Sequence, residues 1–95
     1  MKDYRKKINH INSGDYRLTG RVSVCSCRES EEGDVVICSE ERAEFWGVYV
    51  ETCDCDGLLV ADWVEDFGTK DGAERFAADL SAYIKAHFDL AGATK

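Results

Sequence analysis

Residues 44–67 read EFWGVYVETCDCDGLLVADWVEDF, and this stretch predicts a β-hairpin. Aromatic and β-branched residues, which favour strands, recur in the two runs of ten residues on either side of Asp56-Gly57. An Asp-Gly pair is a strong signal for a two-residue turn, because both of its positions tolerate a positive φ. Such a turn places Trp46 opposite Phe67 in the predicted hairpin.

This register divides the hairpin into an apolar face and a mixed face. The apolar face, which we expect to lie under a helix, contains Trp46, Val48, Val50, Leu59, Ala61, Trp63 and Phe67. The mixed face contains Phe45, Tyr49, Glu51, Cys53, Val60, Asp62, Val64 and Asp66. The register also sets Glu51 opposite Asp62, and like charges at such positions destabilise a sheet. Either a longer loop shifts the register, or this acidic pair meets a partner.

Two further strands are predicted before the hairpin. Residues 16–28 alternate between apolar and polar side chains, and residues 34–39 form a shorter apolar run. We expect the four strands to pair in chain order as an antiparallel meander. The apolar face then also takes Leu18, Val22, Val24, Val35 and Ile37, whereas Arg17, Arg21, Cys25, Cys27 and Val36 join the mixed face.

The periodicity changes to that of a helix after Thr69, the predicted N-cap. One apolar stripe recurs at helical spacing and comprises Ala73, Phe76, Ala77, Leu80, Ile84, His87 and Phe88. We predict a helix over residues 70–90, with Gly92 as its stop. The expected fold class is α+β, with a four-stranded antiparallel sheet and one C-terminal helix packed on one face. Residues 16–95 form this single domain, and residues 1–15 precede it as an arm or loop.

The composition is that of one small domain. The chain has 95 residues, of which 44% are hydrophobic, and this suffices for one core. No apolar run is long enough to span a membrane, and no apolar segment follows the basic residues 1–7 as it does in a secretory signal. The five cysteines are an odd number, which favours reduced thiols. We therefore expect a cytoplasmic protein.

The net charge of −7 is unevenly distributed along the chain. Residues 1–28 carry seven basic and two acidic residues, whereas residues 29–95 carry five basic and seventeen acidic residues. We predict that acidic turns bind a larger protein with a basic surface, through Glu29, Glu31, Glu32, Asp34, Glu40, Glu41, Asp54 and Asp56. The alternative is that the acidic surface only keeps the protein soluble. Direct nucleic-acid binding is not expected, because phosphate contacts need a basic surface.

One helix covers only one face of the sheet, so the mixed face meets either solvent or a partner. The candidate residues for an interaction there are Arg17, Arg21, Phe45, Tyr49, Val60, Asp62, Val64 and Asp66. In a homodimer, the two arginines of one copy would meet Asp62 and Asp66 of the other. The alternative is that the arm of residues 1–15 folds over this face.

The cysteine pairs Cys25-Ser-Cys27 and Cys53-Asp-Cys55 are weak candidates for a metal or redox site. Two side chains separated by one residue on a strand are about 6.5–7 Å apart, and in a meander the first and third strands are not neighbours. We therefore predict no metal and no cofactor, and keep a cysteine-based metal-binding or redox module as an alternative function. Because no catalytic motif or Gly-rich phosphate loop occurs, we do not expect an enzyme.

The segment Val64-Glu-Asp-Phe-Gly-Thr69 leads from the last strand into the helix that contains Phe76. It is similar to strand-to-helix junctions in small phage proteins. Together with its size and acidity, the chain resembles small acidic phage-encoded inhibitors of the anti-CRISPR type. The resemblance implies a non-enzymatic inhibitor or regulator that acts on a nucleic-acid-binding, CRISPR-type partner.

Overall fold

A computed structural model describes residues 8, 11, 16–88 and 90 of the chain. The elements are β1 (Arg17–Glu29), β2 (Val35–Ile37), a 3₁₀ turn (Glu40–Arg42), β3 (Phe45–Cys53), β4 (Leu59–Phe67) and a C-terminal helix (Lys70–His87). The four strands form one antiparallel sheet, and the helix packs on one of its faces. The predicted α+β class is therefore confirmed. In the part of the chain that the structure describes, no helix is both long enough and apolar enough to cross a membrane.

The strand order is β2-β1-β3-β4, so the predicted meander order is wrong. β1 has 13 residues, and this length lets it pair along both of its edges. Cys27 to Glu29 pair with the three residues of β2, whereas β3 pairs with β1 from Arg17 to Cys27. Residues 38–44 consequently carry the chain from one edge of β1 to the other.

The turn between β3 and β4 has three residues and not the two that the sequence predicts. The Asp54 N–H donates to the Leu58 carbonyl at 3.1 Å, which leaves residues 55–57 as the loop. Gly57 has a φ of 86°, as expected for the last residue of a three-residue hairpin loop. Oδ1 of Asp54 accepts hydrogen bonds from the N–H groups of Asp56 at 2.9 Å and Leu58 at 2.8 Å. The Asp54 carboxylate thus favours the longer turn.

A β-bulge at Val64 gives β4 a second departure from the predicted register. Tyr49 pairs with Trp63 and Val48 with Glu65, so Val64 is one extra residue on β4. Val64 is buried, and its side chain belongs to the core under the helix. Because the bulge restores the predicted register beyond it, Trp46 does lie opposite Phe67.

Between the turn and the bulge, the residues of β4 lie on the opposite faces of the sheet from those predicted. Val60 and Asp62 pair with the buried Thr52 and Val50, so they lie on the helix side with Val64 and not on the mixed face. Leu59, Ala61 and Trp63 lie on the side away from the helix, contrary to the prediction. These three pair with Cys53, Glu51 and Tyr49, respectively.

The like-charge pair expected at Glu51 and Asp62 therefore does not form. Glu51 pairs with Ala61 and accepts a hydrogen bond from Oγ1 of Thr19 at 2.8 Å. Asp62 accepts one from Oγ1 of Thr52 at 3.1 Å. Of the two explanations for this pair, the shifted register is correct.

The faces of β2 also differ from the prediction. Ile37 pairs with Cys27 and Val35 with Glu29, which places both apolar side chains on the side away from the helix. Val36 pairs with Arg28 and takes the other side. The error follows from the register of the turn between β1 and β2, which pairs Glu29 with Val35.

The core lies between the sheet and the helix. Its buried members are Ile8, Leu18, Val48, Val50, Val64, Ala73, Leu80 and Ile84. Oγ1 of Thr69 accepts the N–H of Gly72 at 3.1 Å, which confirms the predicted N-cap. The helix ends at His87, and the predicted stop at Gly92 lies outside the described residues. His87 is exposed and not part of the apolar stripe, although its ring lies 4.6 Å from that of Tyr83.

Two residues of the N-terminal arm are described, and both have helical backbone. Ile8 is fully buried in the core, and Ile11 packs against it. At these two positions the arm therefore lies on the helix side of the sheet. The rest of residues 1–15 lies outside the described residues.

Candidate functional site

Residues 29–44 fold onto one end of the sheet, where β1 ends and β3 begins. We call this segment the acidic end, because it carries seven carboxylates and one arginine, a net charge of −6. The carboxylates belong to Glu29, Glu31, Glu32, Asp34, Glu40, Glu41 and Glu44. Residues 29–44 therefore hold half of the net charge of −12 that residues 29–95 carry.

Backbone hydrogen bonds hold the tip of the acidic end in one conformation. The Ser30 N–H donates to the Asp34 carbonyl at 2.7 Å, and the Gly33 N–H donates to the Ser30 carbonyl at 3.0 Å. Oγ of Ser30 accepts the Asp34 N–H at 3.2 Å. Glu31, Glu32 and Asp34 are nevertheless exposed. The tip thus presents carboxylates from a backbone that is already ordered.

An ion pair connects the acidic end to the start of the C-terminal helix. Nζ of Lys70 lies 3.0 Å from Oε1 and 3.1 Å from Oε2 of Glu40. The hydrogen bond and the charge of Glu40 raise the pKa of Lys70 above its ordinary value. Glu41, the next residue, is exposed.

Two apolar side chains lie beside these carboxylates. Ile37 is 70% exposed and Val35 is 55% exposed, and both belong to the short edge strand β2. An exposed apolar pair with an acidic rim is typical of a protein-binding surface rather than of a purely solvated one.

The structure places six of the eight predicted partner-binding residues at the acidic end and two elsewhere. Asp54 and Asp56 lie beyond the other end of β3, about 27–30 Å away by strand length. The Asp54 carboxylate also accepts two backbone N–H groups of its own turn. These two residues therefore cannot act with the other six against one small surface.

The sheet side away from the helix forms the second candidate surface, which we call the open face. Its residues come from all four strands and comprise Arg17, Ser23, Cys25, Cys27, Glu29, Val35, Ile37, Phe45, Gly47, Tyr49, Glu51, Cys53, Leu59, Ala61, Trp63 and Asp66. Of the residues predicted for it, Arg17, Phe45, Tyr49 and Asp66 do lie there. Arg21 is exposed within the irregular segment of β1, whereas Val60, Asp62 and Val64 lie on the helix side.

Sequence reasoning missed the most exposed apolar residues of the open face. Leu59 is 57% exposed and Trp63 is 44% exposed, and both were expected under the helix, as was Ile37. The Asp54 carboxylate, two residues before Asp56-Gly57, was a local signal for the longer turn. No comparable local signal marks the bulge at Val64.

Tyr49 and Trp63 pack over the middle of the open face. A Cβ atom on Gly47 would lie 3.0 Å from Cε1 of Tyr49 and 3.2 Å from Oδ1 of Asp66. Any other residue here would push the tyrosine ring and this carboxylate away from the strand by a few tenths of an ångström. Nε1 of Trp63 donates to the same Oδ1 of Asp66 at 2.8 Å, which fixes the indole on the sheet.

Two thiols lie beside this aromatic pair. Sγ of Cys27, which is buried, donates to the Cys25 carbonyl at 3.3 Å. Burial and then the nearby Cys27 raise the pKa of Cys25. Burial, followed by smaller effects of both thiols and of Asp66, raises the pKa of Tyr49. Cys25 and Tyr49 therefore favour their neutral forms, which suits an apolar contact better than nucleophilic chemistry.

The two cysteine pairs are far apart, although not for the predicted reason. β1 and β3 are neighbours, but Cys25 pairs with Gly47, and Cys53 pairs with Arg17. Six residues of β3 separate these rows, which corresponds to about 20 Å. Among the described residues, no group of three or more His, Cys, Asp or Glu side chains is arranged to hold a metal. The five cysteines all lie in described segments and are free thiols.

The chain was compared with protein-family models, curated proteins and solved structures, and none matches.

Proposed function

We propose that this protein is a non-enzymatic binding protein whose acidic end docks on a basic surface of a larger protein and so inhibits or regulates it. The observation that carries the proposal is the placement of seven carboxylates, with a net charge of −6, at one end of the sheet. Six of these carboxylates were singled out from the sequence alone.

Two further features favour binding over simple solvation. The tip is held by backbone hydrogen bonds, so little backbone entropy is lost when a partner binds it. Val35 and Ile37 add an apolar contact beside the charges. Carboxylates of this kind accelerate association and select a basic partner, while the apolar pair slows dissociation.

A nucleic-acid-binding protein is the partner class that this surface fits. Such proteins carry basic grooves that neutralise phosphates, and a cluster of carboxylates on an ordered backbone presents negative charge to the same groove. The resemblance to phage-encoded inhibitors of the anti-CRISPR type indicates the same class. The proposal places the protein in the cytoplasm, where its free thiols stay reduced.

The test uses immobilised wild-type protein and the variant Glu31→Lys/Glu32→Lys/Asp34→Lys to capture proteins from a lysate of the native host. We expect the captured partner to elute as NaCl is raised, because salt screens exposed charges. We expect the variant to capture at most about one tenth as much of the partner as the wild type does. Added nucleic acid should displace the partner from the wild-type protein, because both compete for one basic groove.

A matched pair compares Glu31→Lys/Glu32→Lys with Asp56→Lys/Asp79→Lys, which reverses two exposed carboxylates away from the acidic end. Both variants change the net charge by the same amount, so a difference between them reports position and not total charge. Equal loss of capture in the two variants, or capture that is insensitive to both salt and charge reversal, would contradict the proposal.

A further inference from the structure

We propose that β2 binds an extended basic segment of the partner as an additional strand of the sheet, the recognition mode called β-augmentation. The added strand is the means by which the acidic end holds its partner, so its role rests on the proposed function. β2 (Val35–Ile37) is the outermost strand at its edge of the sheet that the structure describes. The added strand lies beside β2, on the side away from β1.

The backbone of β2 directs hydrogen-bonding groups toward this outer edge. Along an antiparallel pair, residues that are hydrogen-bonded across the strands alternate with residues that are not. The Cys38 N–H donates to the Ser26 carbonyl at 3.0 Å, which makes these two a hydrogen-bonded pair. Ile37 is the next residue along β2, so its own N–H and carbonyl point away from β1. The same holds for Val35, two residues earlier.

The residues of β1 that lie opposite these two confirm the direction. Cys27 pairs with Ile37, but its carbonyl accepts the Glu44 N–H at 2.8 Å. Glu29 pairs with Val35, but its N–H donates to Oε1 of Glu44 at 3.0 Å. Both backbone groups therefore point to the side of β1 on which β3 begins. Val35 and Ile37 thus direct two N–H groups and two carbonyls to the outer edge of β2.

This edge is open to solvent. The side chain of Val35 is 55% exposed and that of Ile37 is 70% exposed. Proteins commonly protect an edge strand with lysine or proline, but residues 34–39 contain neither. The protection that β2 does have is its short length and the carboxylates around it. Carboxylates repel acidic chains and attract basic ones, so they leave the edge available to a basic strand.

The charge at both ends of β2 selects a basic segment as the occupant. Asp34 precedes β2 and Glu41 follows it in the 3₁₀ turn, and both are exposed. Lysine or arginine residues at the two ends of the added strand meet these carboxylates. A second copy of this chain would instead bring its own acidic end, with a net charge of −6, against this one.

The side chains of β2 define the middle of the added strand. Val35 and Ile37 lie on the same face of the sheet, and cross-strand neighbours on one face are in contact. The matching segment therefore has two apolar residues in alternation, flanked by basic residues, over about seven residues in all.

The test measures the binding of a fluorescent peptide, Lys-Lys-Val-Thr-Val-Lys-Lys with blocked termini, to the purified full chain by fluorescence anisotropy. The deciding comparison is between Ile37→Pro and Ile37→Ala. Proline removes an N–H that points to the outer edge, where a sheet tolerates it. Alanine keeps this N–H and removes more of the apolar side chain. We expect Ile37→Pro to bind the peptide about tenfold or more weakly than Ile37→Ala does.

The proline variant should fold, because Val36 is already in a strand and a residue before proline favours extended backbone. Circular dichroism and urea denaturation check this. Hydrogen exchange followed by NMR on the wild-type chain adds a measurement that needs no substitution. We expect saturating peptide to slow exchange at the amides of Val35 and Ile37 about tenfold or more, and to change the Val36 amide, which faces Arg28, much less.

Either of two results would overturn the added strand. One is a wild-type chain that does not bind the peptide at millimolar concentration. The other is equal affinity of the two Ile37 variants together with unchanged exchange at Val35 and Ile37. If the peptide then still binds and Glu31→Lys/Glu32→Lys weakens it, the basic segment contacts the carboxylates alone, and the proposed function stands without the strand. Capture from the host lysate tests the proposed function separately, so the two failures are distinguishable.

Discussion

At the scale of single residues, the cysteines have clearly different environments. Cys55 is exposed in the turn between β3 and β4, Cys27 is fully buried, and the pKa of Cys25 is raised above its ordinary value of 9.0. The thiolate is the reactive form of cysteine, so a raised pKa leaves less of it at neutral pH.

We therefore expect native-state alkylation by iodoacetamide at neutral pH to modify Cys55 first, Cys25 slowly and Cys27 last. The rate at Cys25 should keep rising with pH beyond 9.0, because its thiol ionises later than an ordinary one. Peptide mapping by mass spectrometry after timed quenching measures all three, and denatured protein gives the reference rates. Fast labelling of Cys25 at neutral pH would instead indicate an activated thiol and favour the redox alternative.

Residues whose structure is decided locally were predictable from the sequence. Thr69 caps the helix because its hydroxyl accepts an N–H three residues later, a contact within one turn of chain. The position of Val64 is not determined by its neighbours in the sequence, because the bulge is stabilised by packing of this residue in the core under the helix. An alternating pattern contains no information about where such an extra residue is tolerated. The wrong face of Trp63 follows instead from the three-residue turn, which the Asp54 carboxylate favours.

At the scale of elements, the helix is expected to supply much of the stability through its buried stripe. Leu80 is fully buried in the core, whereas Leu59 is 57% exposed. We expect Leu80→Ala to lower the free energy of unfolding by about 2–5 kcal/mol, since it removes buried methyl groups and leaves a cavity. Urea denaturation followed by circular dichroism measures this change.

The matched control is Leu59→Ala, for which we expect a change within about 0.5 kcal/mol at concentrations where the protein is monomeric. Similar losses for the two alanine variants would mean that the open face is already buried within the monomer.

The existence of the strands was predictable, but their order was not. Alternation shows that residues 16–28 form a strand, yet β1 has two edges, and the pattern does not say which strand takes which edge. β2 pairs with the end of β1 along one edge, and β3 pairs along the opposite edge. This choice depends on packing across the whole sheet.

At the scale of the whole molecule, the uneven charge should appear in the stability of the fold. Residues 29–44 hold a net charge of −6 at one end of the sheet, and this charge repels itself in the folded state. We expect the free energy of unfolding to rise as NaCl is increased from about 0.05 to 0.5 M, because the Debye length shortens from more than 10 Å to less than 5 Å.

The variant Glu31→Gln/Glu32→Gln should be more stable than the wild type at low salt and should gain less from added salt. Chemical denaturation by urea is the suitable measurement, because urea is uncharged. A wild type that loses stability with salt would mean that favourable ion pairs, such as that of Lys70 with Glu40, outweigh the repulsion.

The acidic end leaves the end of β1 and returns to the start of β3 at almost the same place. The Glu29 N–H donates to Oε1 of Glu44 at 3.0 Å, and the Glu44 N–H donates to the Cys27 carbonyl at 2.8 Å. None of the residues from 30 to 43 is buried. The segment is therefore a cassette that evolution or an engineer can exchange, lengthen or transplant onto another hairpin, while β1, β3, β4 and the helix keep their core unchanged.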